Sequence, residues 1–414
     1  MVMLSVIIVN YNVCYFLEQC LHAVLKASSD MQTEIIVIDN NSSDPSREYL
    51  PARFPSVHFE WLSENLGFGK ANNLGIKKAS GDHILFLNPD TIVPEDCFSL
   101  CLDFFNTHPD AGGLGVRMIS GDGVYLKESK RGLPTASSSF FKMTGLEKLF
   151  PNSKTFASYY ASYLPTGKTG EVDVLAGAFM MMSRRAIDAT QGFDEAFFMY
   201  GEDVDLSYRI QRAGFKNYFL ADTTILHFKG ESTQRFRASY ANNFYGAMGK
   251  FVHKHYQQAP VKKNMMLAAI GLGKMIAKAR ILVAGKPATP IETAHESWVV
   301  CTQRVFDNVI QLLKFASPSL LISARVAPGD IAARLMHAPR SVQCIFCEED
   351  MSWKSIIQTV SNAPRKAFYL FHGKDTGSVV GSSSSKANGL VITAYNPDAI
   401  KASVNEEATS GKAL

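Results

Sequence analysis

Residues 83–90, HILFLNPD, decide the fold of this chain. The apolar run at 84–87 has the length of a buried strand, and it ends in a proline turn with an acid beyond it. This order is typical of the carboxyl edge of a parallel sheet, where ligands usually bind. A carboxylate at Asp90 is well placed there to hold a divalent cation that in turn holds a diphosphate. The alternative is that Asp90 only caps the turn before Thr91.

Earlier segments repeat this order of strand and polar turn. Residues 4–9, LSVIIV, are a near-continuous apolar run typical of a strand buried on both faces. After a helical pattern at 15–27, residues 34–39, EIIVID, predict a second strand that ends in Asp39. Strand, helix and strand that close on polar residues at one end predict a βαβ unit with a ligand-binding edge.

A loop rich in glycine and asparagine, NLGFGKANNLG at 65–75, follows a third predicted strand at 57–62. Its glycines permit a tight turn, and its amides offer hydrogen-bond donors and acceptors without charge. Three successive strand ends thus offer Asp39, this loop and Asp90 at one edge of a sheet.

The middle of the chain divides into two parts. Residues 91–108 predict a helix, and residues 112–164 predict an irregular, aromatic-rich segment that acts as a lid over a site or packs on the surface. Residues 171–183 return to strand-like character around three small residues. They are Ala176, Gly177 and Ala178. Small residues let a sugar ring approach the backbone closely, although close packing against a helix selects them equally well.

Acids and a histidine follow. Glu202, Asp203 and Asp205 open a helical pattern, where the simplest interpretation is that they complement the helix dipole and cap the first turn. His227 ends another short strand, TTILH. A single histidine at a strand end is often structural, and the alternative is that it binds a metal ion.

These motifs, in this order, resemble the family 2 nucleotide-sugar glycosyltransferases, which have the GT-A fold, and in particular a branch that includes rhamnosyltransferases. The resemblance covers residues 4–235. The matching segments are SVIIVNYN, IIVIDNNSSD, NLGFGKANNLGI, ILFLNPD and FFMYGEDVDLSYRIQRAGF. The fold that it implies is an α/β domain with a Rossmann-like mixed sheet.

The resemblance also implies roles for single residues. The nucleotide would contact Val9, Tyr11, Asp39, Asn65 and Asn72. The donor sugar and the acceptor would lie against Ala176, Gly177, Ala178 and Glu202. Mg²⁺ or Mn²⁺ would bind Asp90 and His227, with help from Asn88, which stands where the family commonly has a first aspartate. Since an amide is a weaker ligand than a carboxylate, this replacement reduces the expected metal affinity. Asp203 would take a proton from the acceptor hydroxyl, and apolar walls would suit that role by raising its pKa.

Composition narrows the class of protein. The chain has 414 residues, 46% of them hydrophobic and 19% charged, which is typical of a soluble globular protein of two or three domains. Its seven cysteines are odd in number and scattered, which favours a reducing compartment. The N-terminus lacks the basic lead of a signal peptide, and no apolar run approaches a membrane span. These features predict a cytoplasmic protein.

Charge and pattern predict four regions. They are the catalytic domain at 1–235, a basic helical segment at 236–290, a small Rossmann-like α/β domain at 291–395 and a flexible tail at 396–414. Ten Lys and Arg residues and no acids lie between Ser232 and Ile291, so the rest of the chain is net negative. Residues 262–286 suit an amphipathic helix at the inner face of the plasma membrane, or a helix packed on the protein itself. The C-terminal domain lacks G-x-G-x-x-G, which argues against dinucleotide binding.

The predicted function is inverting transfer of a sugar from a UDP-, TDP- or GDP-linked donor to a hydroxyl of a glycan or lipid-linked acceptor, in bacterial surface polysaccharide synthesis. The first alternative is a non-catalytic nucleotide-sugar-binding or scaffold protein of the same fold. The second is a nucleotidyltransferase, which should carry a phosphate loop after the first strand, where Asn10, Tyr11 and Asn12 stand instead. No nucleic-acid partner is expected.

Overall fold

The structure, a computed structural model, describes residues 3–229, 238–283, 296–338, 342–364, 367–382 and 389–395. The predicted domain boundaries near 235 and 290, and the predicted tail at 396–414, lie outside the described residues. Within those residues the chain forms two β-sheets, and two long helices lie between them in sequence.

The first sheet has nine strands in the part of the chain that is described. They are β1 Leu4–Asn10, β2 Thr33–Asp39, β3 His58–Trp61, β4 His83–Leu87, β5 Thr91–Ile92, β6 Ala111–Ile119, β7 Gly170–Glu171, β8 Phe179–Ser183 and β9 Lys216–His227. Their order is β3-β2-β1-β4-β8-β6-β9-β5, and β7 pairs with β9. Strands β1 to β4 run parallel where they pair, as do β6 and β9, whereas β5, β7 and β8 are antiparallel to their neighbours. The sheet is therefore mixed, as the resemblance implied.

Helices follow most of these strands. They are α1 Cys14–Ala27, α2 Ser46–Arg53, α3 Phe68–Lys78, α4 Cys97–Thr107, α5 Ala136–Thr144, α6 Leu146–Leu149, α7 Arg184–Thr190, α8 Glu202–Arg212, α9 Ala238–His255 and α10 Pro260–Val283. All seven residues of β1 are buried, which confirms that this strand is covered on both faces. The predicted strands at 4–9, 34–39, 57–62 and 84–87 are all present.

The helix predicted at 91–108 is partly wrong. Thr91 and Ile92 form β5 and pair with His227 and Leu226 of β9, and α4 begins only at Cys97. The pairing partner lies far along the chain, so a local helical pattern does not reveal it. This short strand has a consequence for the site, because it holds the residue after Asp90 opposite His227.

The irregular segment predicted at 112–164 is also partly wrong, because it contains most of β6 together with α5 and α6. Strand β6 reads AGGLGVRMI, and its glycines weaken the local signal for a strand. Packing requires one of them: a Cβ added at Gly112 would lie 2.5 Å from Cβ of Phe215 and 2.7 Å from Cγ2 of Ile210. The strand predicted over 171–183 is likewise confined to β7 and β8.

The second sheet has six strands among the described residues. They are β10 Glu296–Val300, β11 Ile322–Val326, β12 Val342–Cys347, β13 Phe368–His372, β14 Ser378–Gly381 and β15 Leu390–Thr393. The order is β11-β10-β12-β13-β14-β15, parallel as far as β13 and antiparallel thereafter. The helices are α11 Gln303–Ala316, α12 Ile331–Met336 and α13 Trp353–Asn362. This arrangement agrees with the predicted small α/β domain.

A buried polar contact joins the two sheets. Glu18 of α1 is fully buried, and its carboxylate accepts hydrogen bonds from the Tyr49 hydroxyl, the Gly377 backbone N–H and the Ser378 hydroxyl, at 2.8, 2.8 and 2.5 Å. Beside it, the Gln19 amide donates to the backbone oxygen of Ser378. Because buried polar groups cost free energy unless they are hydrogen-bonded, these contacts favour one docked position for the C-terminal sheet.

Candidate active site

A cleft of about 410 Å³ opens at the carboxyl ends of β1 and β4, facing the N-terminus of α8. Most of the predicted site residues line it. They are Val9, Tyr11, Asn65, Asn88, Asp90, Ala176, Gly177, Ala178, Glu202, Asp203 and His227. Asp39 and Asn72 are not among the lining residues, and Asn40 lines the cleft beside the end of β2. The fold thus gathers residues from both halves of the first sheet into one concave site.

Asp39 and Asn72 make internal hydrogen bonds. The Asp39 carboxylate accepts from the Asn10 amide at 2.7 Å and from the Ser42 backbone N–H at 2.8 Å. The Asn72 amide donates to the backbone oxygen of Phe68 at 2.9 Å. Both side chains fix the backbone around the cleft, and direct contact of either with a nucleotide stays a prediction.

The Gly/Asn loop is held at the rim of the cleft by asparagine side chains. Asn40 accepts from the backbone N–H of Leu66 at 2.8 Å, and Asn65 accepts from that of Gly67 at 2.9 Å. Gly67 has φ of 81°, and a Cβ there would lie 2.3 Å from the carbonyl oxygen of Phe198. Only glycine fits this position without moving the backbone.

The predicted metal ligands converge at one corner. Asp90 Oδ1 lies 3.3 Å from His227 Nε2, and Asn88 Nδ2 lies 3.4 Å from the same nitrogen. Asp90 and His227 are 3% and 7% exposed. Strand pairing between β5 and β9 fixes this meeting, and the Phe228 backbone N–H also donates to the Asp90 carbonyl oxygen at 3.0 Å. Residues 137 positions apart therefore share one corner of the cleft.

These side chains fit a hard divalent cation. A carboxylate oxygen and an imidazole nitrogen bind Mn²⁺ and Mg²⁺, and two ligands of one ion at about 2.1 Å and right angles lie about 3 Å apart. The described residues contain no group of three or more His, Cys, Asp or Glu side chains that could hold a metal ion. Asp90 and His227 alone would supply two ligands, so a cation bound to them would take its other ligands from elsewhere.

Asp203, the predicted base, lies near the N-terminus of α8. Its Oδ1 accepts from the backbone N–H of Val204 at 2.8 Å, and its Oδ2 forms an ion pair with Arg131 and lies 3.4 Å from the backbone nitrogen of Gly177. Arg131 also donates to the carbonyl oxygen of Leu175 at 2.8 Å. The apolar walls expected around Asp203 are thus replaced by a guanidinium. Sequence reasoning missed Arg131, because it lies in the segment interpreted as irregular and its partner is 72 residues away.

Glu202, the neighbouring carboxyl, has the burial that was expected to raise the pKa of Asp203. It is 8% exposed, and within the described chain its Oε2 has no hydrogen-bond partner. Burial, and then the negative charge of Asp203, raise the pKa of Glu202 to about 8. At neutral pH the cleft therefore contains one protonated carboxyl beside one carboxylate held by an arginine.

Residues 5–190 match the family model described as glycosyl transferase family 2. Those residues form a family 2 glycosyltransferase domain. The matched span contains nearly all of β1, the strands β2 to β8, the Gly/Asn loop and Asp90, whereas Asp203 and the strand β9 with His227 lie beyond its end. The structure brings these two residues to the same cleft as the matched part of the glycosyltransferase.

Named relatives agree with this assignment. The glycosyltransferase is 28% identical over 274 residues to the N-acetylglucosaminyl-diphospho-decaprenol L-rhamnosyltransferase of Mycobacterium tuberculosis, covering 63% of this chain and 88% of the relative. It is 25% identical over 248 residues to the rhamnosyltransferase WbbL of Escherichia coli, covering 56% and 86%. The solved mannosyltransferase PcManGT from Pyrobaculum calidifontis, in complex with GDP-Man and Mn²⁺, aligns with a TM-score of 0.45 and 14% identity over 76% of this chain and 81% of that chain. That structural likeness is too weak to bear on the site.

Asp205, the third acid of the glycosyltransferase motif, anchors another helix. It is fully buried and accepts from Arg209 Nε at 2.7 Å, from His255 Nε2 at 2.6 Å and from Lys254 Nζ at 2.9 Å. Burial alone would raise its pKa, but these hydrogen bonds, that from His255 first, lower it to about 2. Asp205 thus fastens the end of α9 to the catalytic domain.

Helices α9 and α10 connect the glycosyltransferase domain to the C-terminal sheet in sequence. In the described part of the chain, none of the helices combines the length and the apolar character that crossing a membrane requires. Several large apolar side chains of α10 are nevertheless exposed. They are Val261, Met265, Leu272, Met275 and Ile276.

Proposed function

We propose that this glycosyltransferase moves a sugar, with inversion, from a nucleoside-diphosphate sugar to a hydroxyl of a glycan or lipid-linked acceptor in bacterial surface polysaccharide synthesis. One observation carries the proposal. Asp203 lines the same cleft as the Asp90 and His227 pair, together with Val9, Tyr11 and the Gly/Asn loop at the strand ends. This reaction needs a general base, a place for the diphosphate and a surface that binds the nucleobase and ribose.

The chemistry follows from the positions of the first two acids of α8, Glu202 and Asp203. Asp203 takes the proton of the acceptor hydroxyl, whose oxygen attacks the anomeric carbon from the face opposite the diphosphate as the bond to the diphosphate breaks. Arg131 holds the Asp203 carboxylate toward the cleft, which fixes the direction of proton transfer. Glu202, protonated at neutral pH, can donate a hydrogen bond to a sugar hydroxyl, since the small residues Ala176, Gly177 and Ala178 leave room there.

The other end of the reaction lies at Asp90 and His227. These two side chains, with Asn88 beside them, would hold Mg²⁺ or Mn²⁺. Such a cation stabilises the charge that develops on the leaving diphosphate. Asn88 contributes an amide where a carboxylate would bind the cation more tightly, so we expect millimolar rather than micromolar metal to be required.

The relatives guide the choice of acceptor class. The Mycobacterium tuberculosis relative is named for transfer of L-rhamnose to N-acetylglucosaminyl-diphospho-decaprenol. We infer an acceptor of the same kind for this chain, a short glycan carried on an isoprenoid diphosphate. For the donor, the neutral lining of Tyr11 and Asn65 is compatible with UDP, TDP and GDP sugars, so a panel of these should be screened.

Such an acceptor lies in a membrane, and helix α10 suits a position on its surface. Its sequence contains no acid, its exposed apolar residues include Met265 and Met275 at 62% and 63%, and lysines flank them. We propose that this helix rests on the anionic inner face of the plasma membrane. In flotation with phosphatidylglycerol vesicles, the full chain should rise with the lipid, and the variant with Leu272→Ser and Met275→Ser should not. Asn264→Ser, which changes an exposed polar residue of the same helix and removes no apolar side chain, is the control, and equal flotation of all three would refute the membrane contact.

The test of turnover is Asp203→Asn. With a donor found by binding, we expect its kcat to fall by roughly 10² to 10⁴ while nucleoside-diphosphate binding is retained. Asp188→Asn, an exposed acid on α7, is the matched control and should keep full activity. Full activity of Asp203→Asn would show that another group is the base.

Asn88 at the metal corner favours one alternative, a protein of this fold that binds nucleotide sugars without transferring them. It predicts nucleotide binding that does not respond to Mn²⁺ and no transfer to any acceptor tested. Binding that tightens with Mn²⁺, followed by turnover that depends on Asp203, would exclude it.

A further inference from the structure

A second depression, distinct from the cleft, opens beside it between α5, α9 and α10. Its volume is about 160 Å³ and its walls are mainly apolar. They are formed chiefly by Tyr245, Met248 and Phe251 of α9 and by Met266, Ala269 and Ile270 of α10. We call it the helical groove.

The helical groove adjoins the candidate active site. Lys142, Tyr159 and Phe244 line both the groove and the cleft. The Lys142 ammonium lies 3.5 Å from the centre of the Tyr159 ring and 4.6 Å from that of Tyr160. An extended molecule that occupied both would therefore meet the Lys142 ammonium where the cleft and the groove adjoin.

We propose that the helical groove binds the isoprenoid chain of the acceptor lipid next to its diphosphate, which lies at Lys142, so that the glycan end reaches Asp203. The inference rests on the proposed function, because it assigns a part of the acceptor to a place outside the cleft. Branched apolar chains match the walls of the groove, and an ammonium group matches the phosphate charge. A peptide fits less well, since apolar walls cannot satisfy its backbone N–H and C=O groups.

The two faces of α10 give the chain a route to a lipid surface. Met266, Ala269 and Ile270 repeat at helical spacing and face the groove, where Ala269 leaves the space open by its small size. Val261 and Met275 lie on the side away from the groove and are 75% and 63% exposed. A helix with one apolar face on a membrane and the other on the groove would place the groove within reach of a lipid that remains anchored.

The experiment measures binding of a series of isoprenoid diphosphates of increasing chain length to the full chain by calorimetry. The probes are inorganic diphosphate, isopentenyl diphosphate and farnesyl diphosphate. We expect affinity to rise by at least about tenfold from the second to the third, because the longer chain buries more apolar surface. Ala269→Trp should fill the groove and remove this gain. Equal affinity for the two isoprenoid probes would overturn the proposal.

Ala268→Trp is the matched control, since it places the same side chain one residue earlier on the exposed side of α10. It should keep the chain-length dependence, and equal loss in both variants would indicate binding to the outer face and overturn the groove assignment. Ala269→Leu is a smaller filling, to be used if Ala269→Trp lowers the melting temperature. Ala269→Leu should partly reduce the gain in affinity from isopentenyl to farnesyl diphosphate. An unchanged gain in a folded Ala269→Leu variant would also count against the proposal.

Failure of this inference and failure of the proposed function give different results. If the groove is not the lipid site, Ala269→Trp changes no chain-length dependence, yet turnover still depends on Asp203. If the proposed function is wrong, Asp203→Asn has no effect on any transfer, whatever the groove binds. Nucleoside-diphosphate affinity should be unchanged in Ala269→Trp, because its binding surface lies at the strand ends.

Discussion

Replacing Glu202 by glutamine tests the electrostatics of the site most directly. The raised pKa means that the folded protein keeps this carboxyl protonated at pH values where the unfolded chain has already lost the proton. Unfolding is therefore favoured as pH rises from the ordinary Glu pKa of 4.5 toward 8. Below pH 4.5 both states are protonated and the effect vanishes. Glutamine is an uncharged near-isostere of the protonated form, so it should remove this cost.

The magnitude follows from the gap between the two pKa values. At pH 7 the solution lies about 2.5 pH units above the ordinary value, and each unit corresponds to about 1.4 kcal/mol. Glu202→Gln should thus raise the free energy of unfolding by at most about 3 kcal/mol at pH 7, and by less than about 1 kcal/mol at pH 5. Glu195→Gln, an exposed neighbour, should change it by less than about 0.5 kcal/mol at either pH.

The assay is urea unfolding of the full chain at pH 5, 7 and 8. The quantity to compare is how the difference in unfolding free energy between Glu202→Gln and the unchanged chain varies with pH. A change in packing would shift the values at all three pH values equally. If the advantage of Glu202→Gln does not grow with pH, the carboxyl is not protonated in the folded protein. A companion measurement is the pH dependence of kcat. If the protonated carboxyl assists transfer, kcat should change near pH 8 in the unchanged chain and should not change there in Glu202→Gln.

Further predictions concern the supports of the site. Arg131→Lys keeps the charge but loses the planar fork, and it should lower kcat by about tenfold or more while leaving nucleotide affinity unchanged in calorimetry. Gly67→Ala should cost about 1 to 3 kcal/mol in urea unfolding, whereas Gly246→Ala, with open space around the added Cβ, should be neutral or stabilising. Glu18→Ala should cost on the order of 3 kcal/mol and expose the C-terminal sheet to proteolysis, whereas Glu48→Ala on the surface should do neither.

The strand ends were predictable from sequence because the information is local. The runs at 4–9, 35–38 and 84–87 are buried, so nearly every residue in them is apolar, and the polar residue that follows marks the edge of the sheet. In a parallel sheet these edges coincide, which places Val9, Asn88 and Asp90 around one opening.

The remaining features depend on contacts that the local sequence does not encode. β5 has only two residues and exists because β9 lies beside it. Arg131 follows a glycine-rich strand, and only the folded chain brings it to Asp203. Which of Glu202 and Asp203 is the more buried depends on how the first turn of α8 is oriented. Adjacent residues on a helix point about 100° apart, and the motif alone does not show which carboxyl faces the protein interior.

The C-terminal sheet contributes to the site without lining the cleft. Phe228, directly after His227, is fully buried and packs edge-on against Phe16 of α1 and Phe371 of β13, with ring centres 5.0 and 5.6 Å away. The backbone next to the imidazole is therefore held between α1 and the C-terminal sheet. Without β13, the Phe228 ring would lose its contact with Phe371 and become more exposed. This exposure would destabilise the backbone that positions His227 against Asp90. The second domain thus supports the corner formed by Asp90 and His227, and it is docked through the fully buried carboxylate of Glu18.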